Sequence, residues 1–541
     1  MHEKLVIPKG LLDSTSQRIA VLGGGFAGIA SLVSLVEEGC FEPVCFEKTD
    51  NFGGTWCYRE KATFGVASIM PSTVINHSKE IGALSNFPPR KEYNNFMKHE
   101  ELYKYITEFA KSKDVLKHIR FNSEVVEVKR SDDYEETGKW VVSVRNTISG
   151  IIDSDVYDGV LVCVGHMNRP KMPSYPGQDL YKGEIMHTHT LRTVESFKDK
   201  TVVVVGMGCS GLDAAVEISN VAKHVYLSTR SGAHVMKRVG FKGYPYDYIL
   251  LRPYLYRLID IFPVDFVSWL FESLYLDAQF DHRLYTVVPD HHVLSKDPII
   301  NDHIGSKLLA GQITQKYDIE RFTEDGVIFK GDHAATKAGA VIIATGYTWK
   351  FPFLEEGILN VDNDIINLYK CMFPPHLPHS TLAIIGFFLP FGPGFPAAEL
   401  QCRWATQVLA GKCSLPSEKE MMVDIQDRYQ INSSRYTPSE KNSIRVDYIQ
   451  FCDDLASQFG AKPSLLKLFF TDFSLFLTLV FGPNVSYRYR LQGPHSWGGA
   501  RDAIMTVKQR ILYPMTKRDS ETVNDSFLKR VFTKVAASIL F

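Results

Sequence analysis

The chain has 541 residues, 45% of them hydrophobic and 22% charged, which is too apolar for a disordered chain. At roughly 150 residues per domain it is long enough for three or four units, or for fewer large ones. Sixty Lys and Arg against sixty-one Asp and Glu leave a formal charge of −1, so no global field favours nucleic acid or an acidic substrate.

Residues 1–17 carry Lys4, Pro8, Lys9 and Gly10, lack the apolar run of a secretory signal, and are read as an N-terminal extension. Ile19 to Leu22 then predicts a short buried strand ending at GGGFAG, where Gly23, Gly25 and Gly28 stand at G-x-G-x-x-G spacing. Ile29, Leu32, Val33 and Val36 predict one apolar face of a helix closed by Gly39, and Val44 to Phe46 predict a second strand ending at Glu47. In such a βαβ unit the first glycine permits the turn, the second lets a pyrophosphate approach the backbone, and the third lets helix and strand pack closely. Glu47 would accept hydrogen bonds from ribose hydroxyls. A glycine triplet alone is also compatible with a ligand-free turn; the order strand, helix, strand, acid makes the cofactor reading.

The same grammar recurs at Thr201 to Val205, followed by GMGCSG with Gly206, Gly208 and Gly211 at the same spacing. Leu212, Ala215, Val216 and Ile218 mark its helix, and Val225 to Thr229 its second strand, which ends at Arg230 where the first unit ended at Glu47. An acid there repels a 2′-phosphate and suits FAD or NAD. Ser228, Thr229 and Arg230 offer hydroxyls and a guanidinium fork that suit NADP, with Lys237 and Arg238 able to share the role. A solvated arginine at a strand end is the plainer reading of Arg230. The expectation is an α/β protein with two Rossmann-like dinucleotide-binding domains, FAD in the first and NADPH in the second, with electrons passing from NADPH through the flavin to an acceptor.

Tyr248 to Leu276 is aromatic but broken by Arg252, Pro253, Arg257, Asp260 and Pro263; read alone it predicts a buried helical pair. Phe473 to Gly482 and Val531 to Phe541 fall short of the ~18–20 apolar residues that span a bilayer. At the C-terminus Phe527, Val531, Val535 and Ile539 repeat at i, i+4, with Lys529, Arg530 and Lys534 elsewhere on the helix. That pattern suits either a membrane surface or docking on the protein itself. Nine dispersed cysteines without a C-x-x-C pair imply a reduced compartment and no dithiol redox centre, and the seventeen histidines form no metal-ligand pattern.

EKTDNFGGTW, VINHSKE, YKGEIMHTHTL and IIATGY, together with the two glycine motifs, resemble the flavin-containing monooxygenases over nearly the whole chain. The family signature F-x-G-x-x-x-H followed by an aromatic is here Tyr181, Gly183, His187 and Leu191, and Cys209 stands where the family commonly carries Asn. The resemblance implies that Asn76 is the active-site asparagine between flavin and nicotinamide. It implies further that Thr55, Trp56 and His77 contact flavin, and that Ser210, Gly211 and Asp213 contact NADP. An amide suits the place because it donates and accepts at once without supplying an acid. The resemblance further implies crossings near Cys163 to His166 and Ala344 to Tyr347. The expected boundaries are therefore 18–168 and 346–455 for the FAD-binding domain, 169–345 for the NADPH-binding domain with a helical insertion at about 235–310, and 456–541 for a helical region suited to membrane association.

The expected activity is NADPH- and dioxygen-dependent N- or S-oxygenation of small soft nucleophiles through a flavin hydroperoxide. Three alternatives stand beside it: an NADPH oxidase releasing hydrogen peroxide, a Baeyer-Villiger enzyme, and a flavin-binding protein whose catalysis has lapsed. The family's setting is the cytoplasmic face of the endoplasmic reticulum membrane, and the short tail leaves a soluble form open.

Overall fold

The computed structural model describes residues 16–516, apart from 360, 363 and 364. The chain runs through β1 (Gln17–Leu22), α1 (Phe26–Glu38), β2 (Phe41–Phe46), β3 (Ile119–Arg120) and β4 (Gly159–Val162). It continues through β5 (Glu184–His187), β6 (Thr201–Val205), α2 (Cys209–Ile218), β7 (His224–Ser228), β8 (Ile313–Lys316) and β9 (Ala340–Ile343), and returns with β10 (Leu382–Ile384) and α3 (Gly394–Leu409). Two five-stranded sheets result, in the orders β10-β4-β1-β2-β3 and β8-β7-β6-β9-β5, and every pairing in both is parallel. Antiparallel meanders at 123–157 and 319–337 flank them. The two predicted βαβ units are both present, and the first sheet is completed only by β10, after the second sheet has been built.

The central strands of both sheets read as near-continuous apolar runs because helices cover their faces. Ile29, Leu32, Leu400, Trp404 and Leu455 form a core on one face of the first sheet, and Val202, Val204, Leu212, Ala215 and Ile342 form the core of the second. Gly39 takes φ +80° and its N–H returns to Leu35, closing α1 where the sequence placed the stop. Val36, expected on the buried face, emerges at the surface one turn before that end.

The segment read as a buried helical pair is instead three short helices, Tyr246–Leu250, Pro253–Ile261 and Val264–Phe271, followed by a π-turn at Glu272–Leu276. Proline stands at or just before the start of each helix, cutting the run into pieces too short to bury both faces. Ile261 is 70% exposed and Trp269 54%. A second exposed pair, Leu465–Thr471 and Phe473–Phe481, lies alongside, joined by the Tyr254 and Phe481 rings at 5.8 Å, and its Phe470 is 77% exposed. Among the described residues no helix is long and apolar enough to cross a membrane. The C-terminal basic helix expected at Phe527 to Ile539 lies outside them.

Candidate active site

The first glycine loop has the geometry its spacing demands. Gly23 takes φ +101°, and a Cβ on Gly28 would lie 1.9 Å from the Gly23 carbonyl oxygen, so only glycine lets α1 approach the turn this closely. α1 starts after Gly25 with no side-chain cap and no acid in its first turn, which leaves its N-terminal N–H groups for an anion. Glu47 ends β2 as expected and also braces the loop. Its Oε2 accepts from Gly24 N at 2.7 Å, and its Oε1 accepts from Thr49 N and Oγ1 at 2.9 and 2.6 Å. Gly53 N donates to Gly24 O, and a Cβ on Gly54 would come within 2.9 Å of Gly25 Cα, so the turn Gly54–Trp56 sets Thr55 and Trp56 against the same loop.

The second loop repeats the first. Gly206 takes φ +111°, a Cβ on Gly211 would lie 2.0 Å from Gly206 O, and α2 starts uncapped after Gly208, where an added Cβ would meet no protein atom within 4 Å. Both loops therefore fit a dinucleotide pyrophosphate by their own backbone. Ser210 is exposed on the first turn of α2, and Arg230 is exposed just past β7. Two partners expected beside Arg230 are otherwise engaged. The buried Ser228 hydroxyl donates to Tyr317 O, and Arg238 is committed across the cleft as described next.

Asn76 reaches the second loop. Its Nδ2 donates to Cys209 Sγ at 3.8 Å, so the expected catalytic asparagine of the first half touches the first helical residue of the second motif. Its Oδ1 accepts from Arg238 Nη2 at 2.8 Å, and its carbonyl accepts from the Tyr246 hydroxyl at 2.9 Å. The VINHSKE run holds this residue in place from below. Lys79 Nζ donates to the carbonyls of Lys91 and Tyr93 at 2.7 Å each, and burial pulls its ammonium down to about 8. The Glu80 carboxylate is paired with Arg510. Asp213, expected at NADP, accepts instead from Asn301 Nδ2 at 2.9 Å, and burial raises its carboxyl to about 6.

Beside Asn76, the His77 ring lies 5.8 Å from Phe395, which stacks on Phe26 at 3.7 Å and meets Trp56 edge-on at 6.3 Å. His77 Nδ1 is buried without a partner, and burial lowers the imidazole to about 4, so it is neutral. That nitrogen packs against Gly82, where an added Cβ would lie 2.0 Å from it, while the Phe395, Phe26 and Trp56 rings beside the uncapped start of α1 fit a planar cofactor. Phe395, absent from the sequence reading, had a signal in FGPGF: Gly392, Pro393 and Gly394 are a glycine-proline loop leading into α3. Arg238, Asp302 and Tyr246 had none, because only tertiary folding brings them to residue 76.

The signature around His187 is architectural. The Tyr181 hydroxyl donates to Ala338 O at 2.7 Å, a bond a phenylalanine would not make, and a Cβ on Gly183 would strike that hydroxyl at 2.2 Å. His187 Nδ1 accepts from His189 N at 3.0 Å while Nε2 faces Gly346 O at 3.1 Å, which fixes the Nε2-protonated tautomer and ties the end of β5 to the ATGY turn. Burial lowers this imidazole to about 4. Leu191, in place of an aromatic, is buried in the second core.

All nine cysteines are free thiols, and burial raises every one of them above its ordinary range. Among the described residues no cluster of His, Cys, Asp and Glu could hold a metal.

Comparison with known proteins agrees with this geometry. The flavin-binding monooxygenase-like family model matches residues 16–541. Human flavin-containing monooxygenase 2 is 40% identical over 97% of this chain and 98% of its own, and guinea-pig (Cavia porcellus) flavin-containing monooxygenase 5 is 41% identical over 94% and 95%. Among solved structures, the S-allyl-L-cysteine S-oxygenase of Allium sativum superposes with a TM-score of 0.62 at 24% identity, covering 91% of this chain and 99% of its own. An oxidised steroid monooxygenase bound to NADP superposes with a TM-score of 0.60 at 16% identity, covering 82% and 97%.

Proposed function

The chain belongs to the flavin-binding monooxygenase-like family, and we propose that it transfers one oxygen atom of dioxygen to a soft nitrogen or sulfur atom of a small molecule. NADPH is the reductant, and NADP, water and the N-oxide or S-oxide are the products. When bound, FAD supplies the hydride acceptor and the place where dioxygen is reduced. The observation that carries the reading is the contact of Asn76 with Cys209, which brings an amide of the first half of the chain to the start of the second uncapped helix.

Each assigned residue follows from its position. The N–H groups after Gly23, Gly25 and Gly28 hold the FAD pyrophosphate, and Glu47 takes its ribose. Thr55, Trp56 and His77 line the flavin side with Phe26 and Phe395, forming a mostly apolar wall that excludes water. Gly206, Gly208, Ser210 and Gly211 hold the NADPH pyrophosphate, Asp213 positions Asn301 at the edge of that site, and Arg230 takes the 2′-phosphate. Asn76 donates a hydrogen bond into the space between the cofactors without adding an acid. On this reading residues 18–168 and 346–455 bind FAD and residues 169–345 bind NADPH. The test is product stoichiometry: holoenzyme with NADPH, air and a small thioether or tertiary amine is expected to yield one oxide per NADPH consumed. Hydrogen peroxide in place of oxide would make it an oxidase, and bound FAD that NADPH does not reduce would sink both readings.

We infer in addition a peripheral seat on a membrane, in keeping with the family's setting on the cytoplasmic face of the endoplasmic reticulum. Supporting it are the two neighbouring groups of helices that expose Ile261, Trp269, Phe470 and Phe473 to solvent, joined by the Tyr254 and Phe481 rings. The protein should sediment with phosphatidylcholine and phosphatidylserine vesicles, and Trp269→Ser with Phe470→Ser should release it. Wild-type protein that stays in the supernatant would refute the attachment.

A further inference from the structure

The two ends of the Asn76 carboxamide differ chemically, and the structure shows what meets each. Arg238 has five N–H donors and no acceptor, so the atom 2.8 Å from its Nη2 is Oδ1. Nδ2 is thereby turned to Cys209 Sγ, a weak acceptor at 3.8 Å. Arg238 is itself held on several sides. Its Nη1 pairs with Asp302 Oδ2 at 2.7 Å and its backbone N–H donates to Asp302 Oδ1 at 2.8 Å, while Nη2 and Nε reach the carbonyls of Val74 and Ile75 at 3.3 Å. Asp302 sits next to Asn301, which is pinned to Asp213 on α2. The same stretch grips the loop twice more, through the Tyr246 hydroxyl on Asn76 O and the buried Asp247 carboxylate, which accepts from Ser78 N at 2.5 Å.

We propose that Arg238, anchored by Asp302, is the positioning residue that holds the Asn76 carboxamide with its oxygen toward the guanidinium and its NH2 toward Cys209, so that the site presents a donor at the start of α2. The proposal deepens the function given above and rests on it. A carboxamide released from Arg238 can rotate and present its oxygen instead. Cys209 would not prevent this, because a thiol is a weak donor and a weak acceptor and discriminates little between the two orientations. In this chain the orientation therefore depends on Arg238 rather than on residue 209.

The test is a double-mutant cycle on holoenzyme, Asn76→Ala with Arg238→Ala, beside Arg238→Lys and Asp302→Asn. Three quantities are read: the fraction of NADPH that ends as hydrogen peroxide rather than oxide, the NADPH KM, and NADP affinity by equilibrium titration of the oxidised flavin. Loss of one charge-assisted hydrogen bond predicts about a tenfold rise in the peroxide-to-oxide ratio for Arg238→Ala. FAD content and KM should stay nearly unchanged. Arg238→Lys should recover most of the oxide yield, Asp302→Asn should fall between, and Asn76→Ala should add little once Arg238 is gone. Additive effects of the two alanines would overturn the proposal. A change confined to KM and NADP affinity would make Arg238 a nucleotide-binding residue and also overturn it. A wild-type enzyme that forms no oxide would instead defeat the function proposed, and that control, read before any variant, separates the two failures.

Discussion

Gly211→Ala is expected to yield a folded, yellow protein that has lost most of its affinity for NADPH, whereas Gly28→Ala yields a colourless one. The added Cβ at residue 211 would stand 2.0 Å from Gly206 O and 3.3 Å from the Ala344 Cβ, and at residue 28 it would stand 1.9 Å from Gly23 O. The nearest obstacle in each case is a backbone oxygen, so the helix must move away from its turn, and the N–H groups at its start move with it. Overpacking of this kind costs about 1–3 kcal/mol, which is about fivefold to 150-fold in affinity when it falls on the bound state. Flavin absorbance per protein and titration with NADP separate the two variants. Undiminished NADP affinity in Gly211→Ala would show that the second loop is not a nucleotide cradle, and full FAD content in Gly28→Ala would say the same of the first.

Arg510→Ala should lower the stability of the holoenzyme by about 3–5 kcal/mol, the effect of stranding a buried charge. The partner is Glu80, whose side chain is fully buried and accepts from Arg510 Nε at 3.2 Å, from Arg510 Nη2 and from the Tyr487 hydroxyl at 2.8 Å. Glu80 lies four residues beyond Asn76, so the loss also loosens the loop that carries the Asn76 amide. Adding Glu80→Gln removes the stranded charge and should restore part of the stability. Thermal unfolding measures both. A loss within about 1 kcal/mol, typical of a solvated surface pair, would mean that water reaches Glu80.

The nucleotide loops were legible because their determinants are local. The closest steric limits at Gly28 and Gly211 act against Gly23 and Gly206, five residues away, and apolar runs mark the flanking strands, so spacing located both helices and the strands on either side of them. Glu47 and Arg230 were legible for the same reason, each ending a strand. Asn76 was found through resemblance, since nothing in a lone polar-loop asparagine announces a ligand. Arg238 was misplaced beside Arg230 because a guanidinium eight residues further along the chain gives no sign of its direction, and Asp302 draws it across the cleft. The 248–276 segment was misread because an aromatic run looks like core whether its second face meets protein or not, and the prolines that expose it were visible without showing what would cover it.

The nine cysteine thiols bear on chemoselectivity. Oxygen transfer to soft sulfur has an intramolecular competitor in any protein that carries cysteine, and thiolates are the forms that react. Burial holds all nine thiols above their ordinary range, Cys209 at the cleft included, so each stays protonated near neutral pH and is a poor nucleophile. For Cys45, Cys163, Cys371, Cys402 and Cys452, which are buried, the packing that serves the core also keeps the sulfur away from an oxidant, so external thioethers and amines meet little competition from them.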